Sequence, residues 1–245
     1  MNFCKLLYYI FMPIFFIDKD AEDREITIEK GDLFHHFNNV LRVHKGEEIR
    51  LFSKKFVYEV VVKEKLPDKI LLQVMENFAP DFPLPEIFLV QSIIERNSLE
   101  EVLRLNIPIF VRNFILFGAK RSNFIITEKN LSRFQKIALS VAEQSEVCFF
   151  PEIKVSKNLE EALNVSEENF VIALHPQGKE NFKDLIPKFK EFKNTSIVIG
   201  PEGGFAEGEL QTLERIGIPI ASIKTGIFRS DLAGFVASLL VRQLI

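Results

Sequence analysis

A chain of 245 residues can form one large domain or two modest ones. With 47% hydrophobic and 27% charged residues it is globular in composition, which excludes a disordered or fibrous chain. A net charge of −3 argues against a broad basic surface wrapped around nucleic acid, while leaving room for local clusters of Lys and Arg. Cys4 and Cys148 stand in no metal-ligand spacing and suggest no disulfide framework. No metal is expected, and a reducing cytoplasm is the expected location.

Met1 to Ile17 are mostly apolar, but Lys5, Pro13 and the short length argue against a membrane span. No small-residue cleavage site precedes Asp18, Lys19 and Asp20. "MPIFFID" from Met12 reads as a first strand, and Met1 to Phe11 as an upstream extension or a misplaced start. Up to Phe78 the pattern is short and strand-like: "PIFFI", "EITIE", "EEIRLFS", "FVYEVVVKEK" and "KILLQVME". One helix is expected over Asp32 to Arg42, with Leu33, Phe37, Val40 and Leu41 on its apolar face. Five short strands need closure or packing to hide their edges, so a small twisted barrel with one helix is the expected form.

Pro80, Pro83 and Pro85 make Ala79 to Glu86 a stiff, extended linker. Beyond it strands and helices alternate. "IFLVQS", "NFILFGA", "FVIALH", "SIVIG" and "PIASIK" read as strands. "SLEEVLRLN", "EKNLSRFQKIALSVAEQSE", Lys183 to Lys193, a stretch from Ala206 and a last one from Ser230 read as helices. Such alternation predicts an α/β domain with a parallel sheet covered by helices on both faces. The expected division is 1–11 extension, 12–78 first domain, 79–86 linker and 87–245 second domain.

The stretch Ile197 to Leu210, "IVIGPEGGFAEGEL", runs strand, glycine-rich turn, helix. In open α/β sheets ligands bind at the carboxyl ends of strands, where this turn falls. Gly203 and Gly204 permit positive φ and close approach of backbone to a ligand, and Pro201 stiffens the start. Neither G-x-G-x-x-G nor G-K-[ST] is present, which excludes the dinucleotide fingerprint and the P-loop. A purely structural turn is the alternative.

This loop resembles the adenosylmethionine-binding loop of the SPOUT-type RNA methyltransferases, and most closely that of the 16S ribosomal RNA uridine-N3 methyltransferases (RsmE-like). Other matches follow in the family's order. "HHFNNVLRVHKGEEIRLF" from His35 is similar to the signature of its PUA-like N-terminal domain. "AEQSEVCFFPEI" from Ala142 is similar to its "A-x-EQ" helix end followed by Pro and a strand. "LHP" at Leu174 to Pro176 and "IFRSDLAGFVASLL" from Ile227 are similar to its cofactor-facing strand end and its knot segment.

The resemblance implies a C-terminal trefoil knot, a homodimer, S-adenosylmethionine as cofactor, and 16S ribosomal RNA or the small ribosomal subunit as partner. It implies neither a membrane nor a metal. Leu174, His175, Ile199, Gly200, Pro201, Gly203, Gly204, Ile223, Ile227 and Phe228 are the implied cofactor contacts. Arg229 is the implied stabiliser of charge on the uridine ring or a phosphate-orienting group, or else a salt-bridge partner of Asp231 or Glu202. Asp231 and Glu202 are candidates for the base, for polar cofactor contacts, or for simple helix-start acids. His175, alone at a strand end, is more often a packed or hydrogen-bonded histidine than a catalytic one. His35, His36, Arg42 and Lys45 are candidates for RNA phosphate contacts or a solvated face.

The chain departs from the family on the substrate side. Glu95 and Arg96 replace a lysine-glycine turn, Leu105 a helical lysine, and Val147 an arginine. Lys224 and Gly226 replace the glycine and arginine of "LG-x-R", and Asp231 a glutamate. Two alternatives therefore stand beside the first reading: an RNA-binding or ribosome-assembly protein of the same fold with weakened catalysis, and a methyltransferase for another RNA site.

Overall fold

The computed structural model describes residues 14–164 and 170–245. The proposed extension, Met1 to Phe11, lies outside the described residues. By contact the chain divides into two compact units, Met1–Asp81 with Ala142–Phe150, and Phe82–Val141 with Pro151–Ile245.

The first unit contains the five expected strands: β1 (Ile14–Phe16), β2 (Glu25–Glu29), β3 (Glu48–Phe52), β4 (Val57–Lys65) and β5 (Lys69–Phe78). They form one sheet in the order β1-β3-β4-β5-β2, with β1 parallel to β3 and the other pairs antiparallel. β1 and β2 are the two edges, so the described ladder is an open five-stranded sheet rather than a closed ring. Alternating Ile70, Leu72 and Val74 on β5 meet Val60 and Val62 of β4 in the core beneath it.

The expected helix forms, but it changes pitch. α1 (Asp32–His35) continues as a π-helical turn, His36–Val40, in which the Leu41 N–H reaches back to the His36 carbonyl at 3.0 Å. The wider turn shifts the phase of every later side chain. Phe37 is fully buried, but Val40 is 62% exposed and does not join the apolar face expected for it. Arg42 then ends the segment in the left-handed region, at φ +54°.

The second unit is a seven-stranded sheet in the order β10-β12-β9-β11-β6-β7-β8, and every pairing in it is parallel. Its elements are β6 (Glu86–Ser92), α2 (Arg96–Asn106), β7 (Val111–Phe117), α3 (Glu128–Gln144, whose residues from Ala142 count with the first unit), β8 (Glu152–Ser156), α4 (Leu159–Leu163), β9 (Phe170–Leu174), β10 (Glu180–Asn181), α5 (Phe182–Phe189), β11 (Asn194–Ile199), α6 (Glu207–Arg215), β12 (Ile220–Ser222) and α7 (Ser230–Leu244). Central strands carry apolar residues on both faces, as a parallel sheet covered on two sides requires: Leu89 and Val90 on β6, Ile197 and Val198 on β11, all buried. The expected α/β alternation is present. α4 and β10 are additions too short to leave a periodic signal.

α7 lies so close to the sheet that a Cβ on Gly234 would meet Leu89 Cδ1 at 2.8 Å. Gly234, Ala237 and Val241 are buried, while Leu232, Phe235, Val236, Leu239 and Leu240 are only half-buried.

In each unit one charged side chain fastens backbone that the ladders do not reach. In the second unit Arg242 donates to four carbonyls: Pro83 at 2.8 Å, Pro85 at 2.6 Å, Phe110 at 2.9 Å and Ile109 at 3.2 Å. Burial lowers its pKa to about 10. In the first unit Glu143 accepts the Phe16 N–H of edge strand β1 at 2.9 Å. Burial pushes the Glu143 carboxyl above its ordinary range, and the Phe16 hydrogen bond and the nearby His36 oppose the shift. A carboxyl raised on folding contributes stability that is complete at low pH and is lost as pH rises through the folded value. Glu143→Gln keeps the acceptor and removes the charge. Its melting temperature at pH 7 should equal or exceed that of the wild type, and its fall from acid to neutral pH should be shallower. A clear loss at pH 7 would show that the carboxylate charge itself is required.

Candidate active site

Strands β12, β9 and β11 lie side by side, and their carboxyl ends open onto a cavity of about 730 Å³. Parallel strands deliver their last residues to the same edge, so three short sequences far apart in the chain converge here. β9 ends at Leu174 and leads to His175, β11 ends at Ile199 and leads to Gly200 and Pro201, and β12 leads to Ile223. The turn Glu202 to Phe205 and the segment Thr225 to Arg229 form the walls. All ten residues singled out as cofactor contacts face this cavity, together with Glu202 and Arg229. Ile227 is 82% exposed and therefore sits at the rim.

Asp231 is not on this wall. It lines a smaller adjoining recess of about 390 Å³ with Glu101, Leu105, Phe228 and Arg229. Gln177, Ser222, Thr225, Ser230 and Ala233 also line the main cavity and were not singled out from the sequence. Position next to the matched motifs was their only signal.

The glycine turn shows why side chains are absent from it. Gly204 has φ +71°, and its N–H closes the turn onto the Pro201 carbonyl at 2.8 Å. Gly203 does not need positive φ. A Cβ there would make only ordinary contact with the Arg121 side chain, at 3.4 Å. A Cβ on Gly200 would meet the buried Phe205 ring at 3.1 Å. The Gly200 carbonyl accepts from Ser230 Oγ at 2.5 Å, and Ser230 Oγ accepts in turn from the buried Gln91 at 3.0 Å.

A second clamp holds the far side of the turn. Glu209, nearly buried, accepts the Ala206 N–H at 2.7 Å with one oxygen and the Lys120 N–H at 3.0 Å with the other. Arg121 Nη1 donates to the Gly203 carbonyl at 2.6 Å. Both links cross more than eighty residues of chain, and no periodicity forecasts them.

Burial holds the His175 pKa below its ordinary value, so the ring is neutral near pH 7. Its Nδ1 accepts the Gln177 N–H at 3.2 Å, which places the proton on Nε2, the atom that faces Gly204. Arg229 is 80% exposed and grips the 7%-exposed Asp231 with two N–H groups, Nε at 3.1 Å and Nη2. The hydrogen bond to Asp231, with its charge and a smaller effect from Glu202, raises the Arg229 pKa. Of the three polar candidates, the structure pairs two with each other and leaves Glu202 exposed on the cavity wall.

The remaining candidates belong to the first unit. His35 is exposed and shares a 2.9 Å hydrogen bond with Asn39. His36 is half-buried, with its ring 5.3 Å from that of Phe15. Arg42 and Lys45 are exposed in the loop that follows. Among the described residues no group of His, Cys, Asp and Glu could hold a metal ion, and no helix is long and apolar enough to cross a membrane.

Fold and cavity together define an α/β protein with a glycine-lined cavity at the carboxyl edge of a parallel sheet. The RNA methyltransferase domain family matches residues 80–242, and the chain belongs to that family. Ribosomal RNA small subunit methyltransferase E of Aquifex aeolicus is 25% identical over 222 residues, covering 89% of this chain and 94% of the relative. That of Helicobacter pylori is 29% identical over 199 residues, covering 77% and 82%. Among solved structures, the enzyme of that name from Neisseria gonorrhoeae, bound to S-adenosyl methionine, superposes with a TM-score of 0.79 at 22% identity, covering 95% of this chain and 98% of its own. A Legionella pneumophila methyltransferase in complex with the same cofactor gives 0.79 at 18% identity, covering 96% and 98%. These structures share the fold of this chain.

Removing the clamp tests its part in shaping the cavity. Glu209→Ala strands two N–H groups that each lose a charge-assisted bond, a cost of about 2–4 kcal/mol in all. Hydrogen exchange should accelerate at Lys120 and Ala206 beyond what the global loss of stability explains. Exchange unchanged at both amides would show that the carboxylate is dispensable to the turn.

Proposed function

We propose that this protein methylates N3 of a uridine in small-subunit ribosomal RNA, with S-adenosylmethionine as methyl donor. The observation that carries the reading is the glycine-lined cavity at the ends of β9, β11 and β12. Its size falls in the range of about 300–1,000 Å³ usual for cofactor sites. Its walls combine apolar Leu174, Ile199, Ile223 and Phe228 with exposed backbone at Gly203, which suits a flat adenine ring beside polar groups. The relatives named ribosomal RNA small subunit methyltransferase E, matched over most of both chains, support the substrate.

When bound, S-adenosylmethionine supplies a sulfonium methyl group that a positioned nucleophile attacks in line. Leu174, His175, Ile199, Gly200, Pro201, Gly203, Gly204, Ile223, Ile227 and Phe228 hold the cofactor in this reading. Neutral His175 offers a donor from Nε2 and adds no positive charge beside a cation. The uridine N3–H must give up its proton as the new N–C bond forms, and the charge spreads onto the two flanking carbonyl oxygens. Arg229 stabilises that charge, Asp231 orients the guanidinium through its two-point grip, and Glu202 is free on the wall to take the proton. Because N3 lies on the pairing edge, the target base is unpaired or flipped out.

The architecture fits the same reading. The open sheet with a single helical segment belongs to a PUA-like RNA-binding domain over 12–78, in which His35, His36, Arg42 and Lys45 contact phosphates. Residues 79–86 link it to a SPOUT domain over 87–245. The segment ahead of α7 threads a trefoil knot, a reading supported by the tight crossings at Gly178 against Ala221, at Gly200 against Ser230 and at Gly234 against Leu89. The half-buried apolar face of α7 packs against a second copy of the chain.

Gly204→Val places a β-branched side chain at φ +71° and should abolish S-adenosylmethionine binding in calorimetry while the protein stays folded. Full affinity in the folded variant would move the cofactor elsewhere. Arg229→Ala should lower the single-turnover methyl-transfer rate about 10²–10³-fold at saturating cofactor, and Arg229→Lys should restore little of it, since it loses the planar fork. The exposure of Arg229 and its pairing to Asp231 favour a second reading, in which it only braces the start of α7. A near-wild-type rate with a lowered melting temperature would establish that one.

A further inference from the structure

Lys120 and Arg121 follow β7 on a short turn beside the glycine loop, and both are exposed. The turn is rigid. Ser122 Oγ accepts the Ala119 N–H at 3.1 Å, the Gly118 N–H bonds the Ser156 carbonyl at 3.2 Å, and Glu209 accepts the Lys120 N–H at 3.0 Å. Neither side chain makes an ion pair among the described residues. Arg96, Arg104, Arg112, Arg133 and Arg229 of the same unit are matched to carboxylates, whereas these two cations share a turn beside the glycine loop with none. A net charge of −3 gives the chain little long-range pull on a polyanion, so affinity for RNA has to come from local unpaired cations.

We propose that Lys120 and Arg121 bind the phosphate backbone of the RNA substrate at the edge of the cavity, and that Arg121 links this contact to the shape of the glycine turn. The inference rests on the RNA methyltransferase reading above. Arg121 is the link because it has more donors than it uses. A guanidinium carries five N–H groups, and the Gly203 carbonyl at 2.6 Å engages one nitrogen. The rest of the fork can grip a phosphate while the bond to Gly203 persists, so seating the RNA fixes the carbonyl next to Gly204. Lys120 adds a point charge with no tie to the loop through its side chain. Arg121 is thus a positioning residue for the cofactor and a contact for the RNA, and Lys120 is a contact only.

The test uses full-length protein and protein-free small-subunit ribosomal RNA, with cofactor affinity measured separately by calorimetry in the absence of RNA. Each phosphate contact on a single strand contributes about 0.7 to the slope of log K against log salt. Lys120→Ala should flatten the slope by about that amount and leave cofactor affinity unchanged. Arg121→Ala should flatten it equally and also weaken cofactor binding about tenfold, as loss of a charge-assisted hydrogen bond does. Arg121→Lys should recover the slope but not the cofactor affinity. An unchanged slope in the Lys120→Ala, Arg121→Ala double variant would overturn the proposal. So would a loss of cofactor affinity in Lys120→Ala alone, since both cations would then serve the cofactor. Methyl transfer by the wild type to the same RNA or to small ribosomal subunits is the control: its absence from both, alongside the expected slopes, would remove the methylation reading and leave the RNA contact standing.

Discussion

The cavity hangs from the bond between the Ser230 hydroxyl and the Gly200 carbonyl. Gly200 follows directly on β11, Ser230 begins α7, and Gln91 of β6 donates to the same hydroxyl. A buried hydroxyl can donate once and accept, and here it does both, so three elements are fixed at one atom. Everything that faces the cavity follows from that junction. It sets where the glycine turn departs from the sheet, and it brings Phe228 and Arg229 back across the opening. The Glu209 clamp then holds the other end of the turn, so the loop is tethered at both sides while its middle, Gly203 and Gly204, stays bare of side chains.

The charges divide into structural and accessible groups by their partners. Arg242 is engaged with carbonyls, Glu143 with an edge strand, and Glu100 with Arg133 through a two-point contact at 2.6 and 3.1 Å. Arg229 belongs to both groups, since it is exposed and yet holds a buried carboxylate. Exposed ion pairs contribute little to stability, about 0–1 kcal/mol. A buried carboxylate left without its partner is far more costly. The pairing therefore matters more to Asp231 than to Arg229, and the arginine keeps one face for a ligand.

Much of this was legible in the sequence because the signals were local. Alternation in "KILLQVME" and "EITIE" marked strands that form. The unbroken apolar runs "IFLVQS" and "SIVIG" marked the buried centre of a parallel sheet. The glycine turn was visible as a motif, and the residues flanking the other matched strand ends proved to share its cavity. What could not be read depends on partners remote in the chain. Nothing near Glu209 says that Lys120 will meet it, and nothing near Arg242 says that Pro83 will. Val40 failed for a different reason: helical phase assumes 3.6 residues per turn, and one wider turn at His36–Val40 rotates it out of the core. Asp231 lies two residues after Arg229 in sequence but faces a neighbouring recess, because the start of α7 directs successive side chains to different sides.

The strand order has a consequence for how the chain comes to be built. β6, near the middle of the sheet, pairs on one side with β7 and on the other with β11. β11 lies roughly a hundred residues downstream, which at ordinary rates of translation is about 5–20 s of synthesis. Until then one full side of β6 has its backbone groups unmatched, and Leu89 lacks the α7 glycine that later covers it. A nascent chain of this topology therefore carries an apolar, open strand edge through much of its emergence, the state most prone to mispairing with neighbouring chains and most in need of a chaperone's cover.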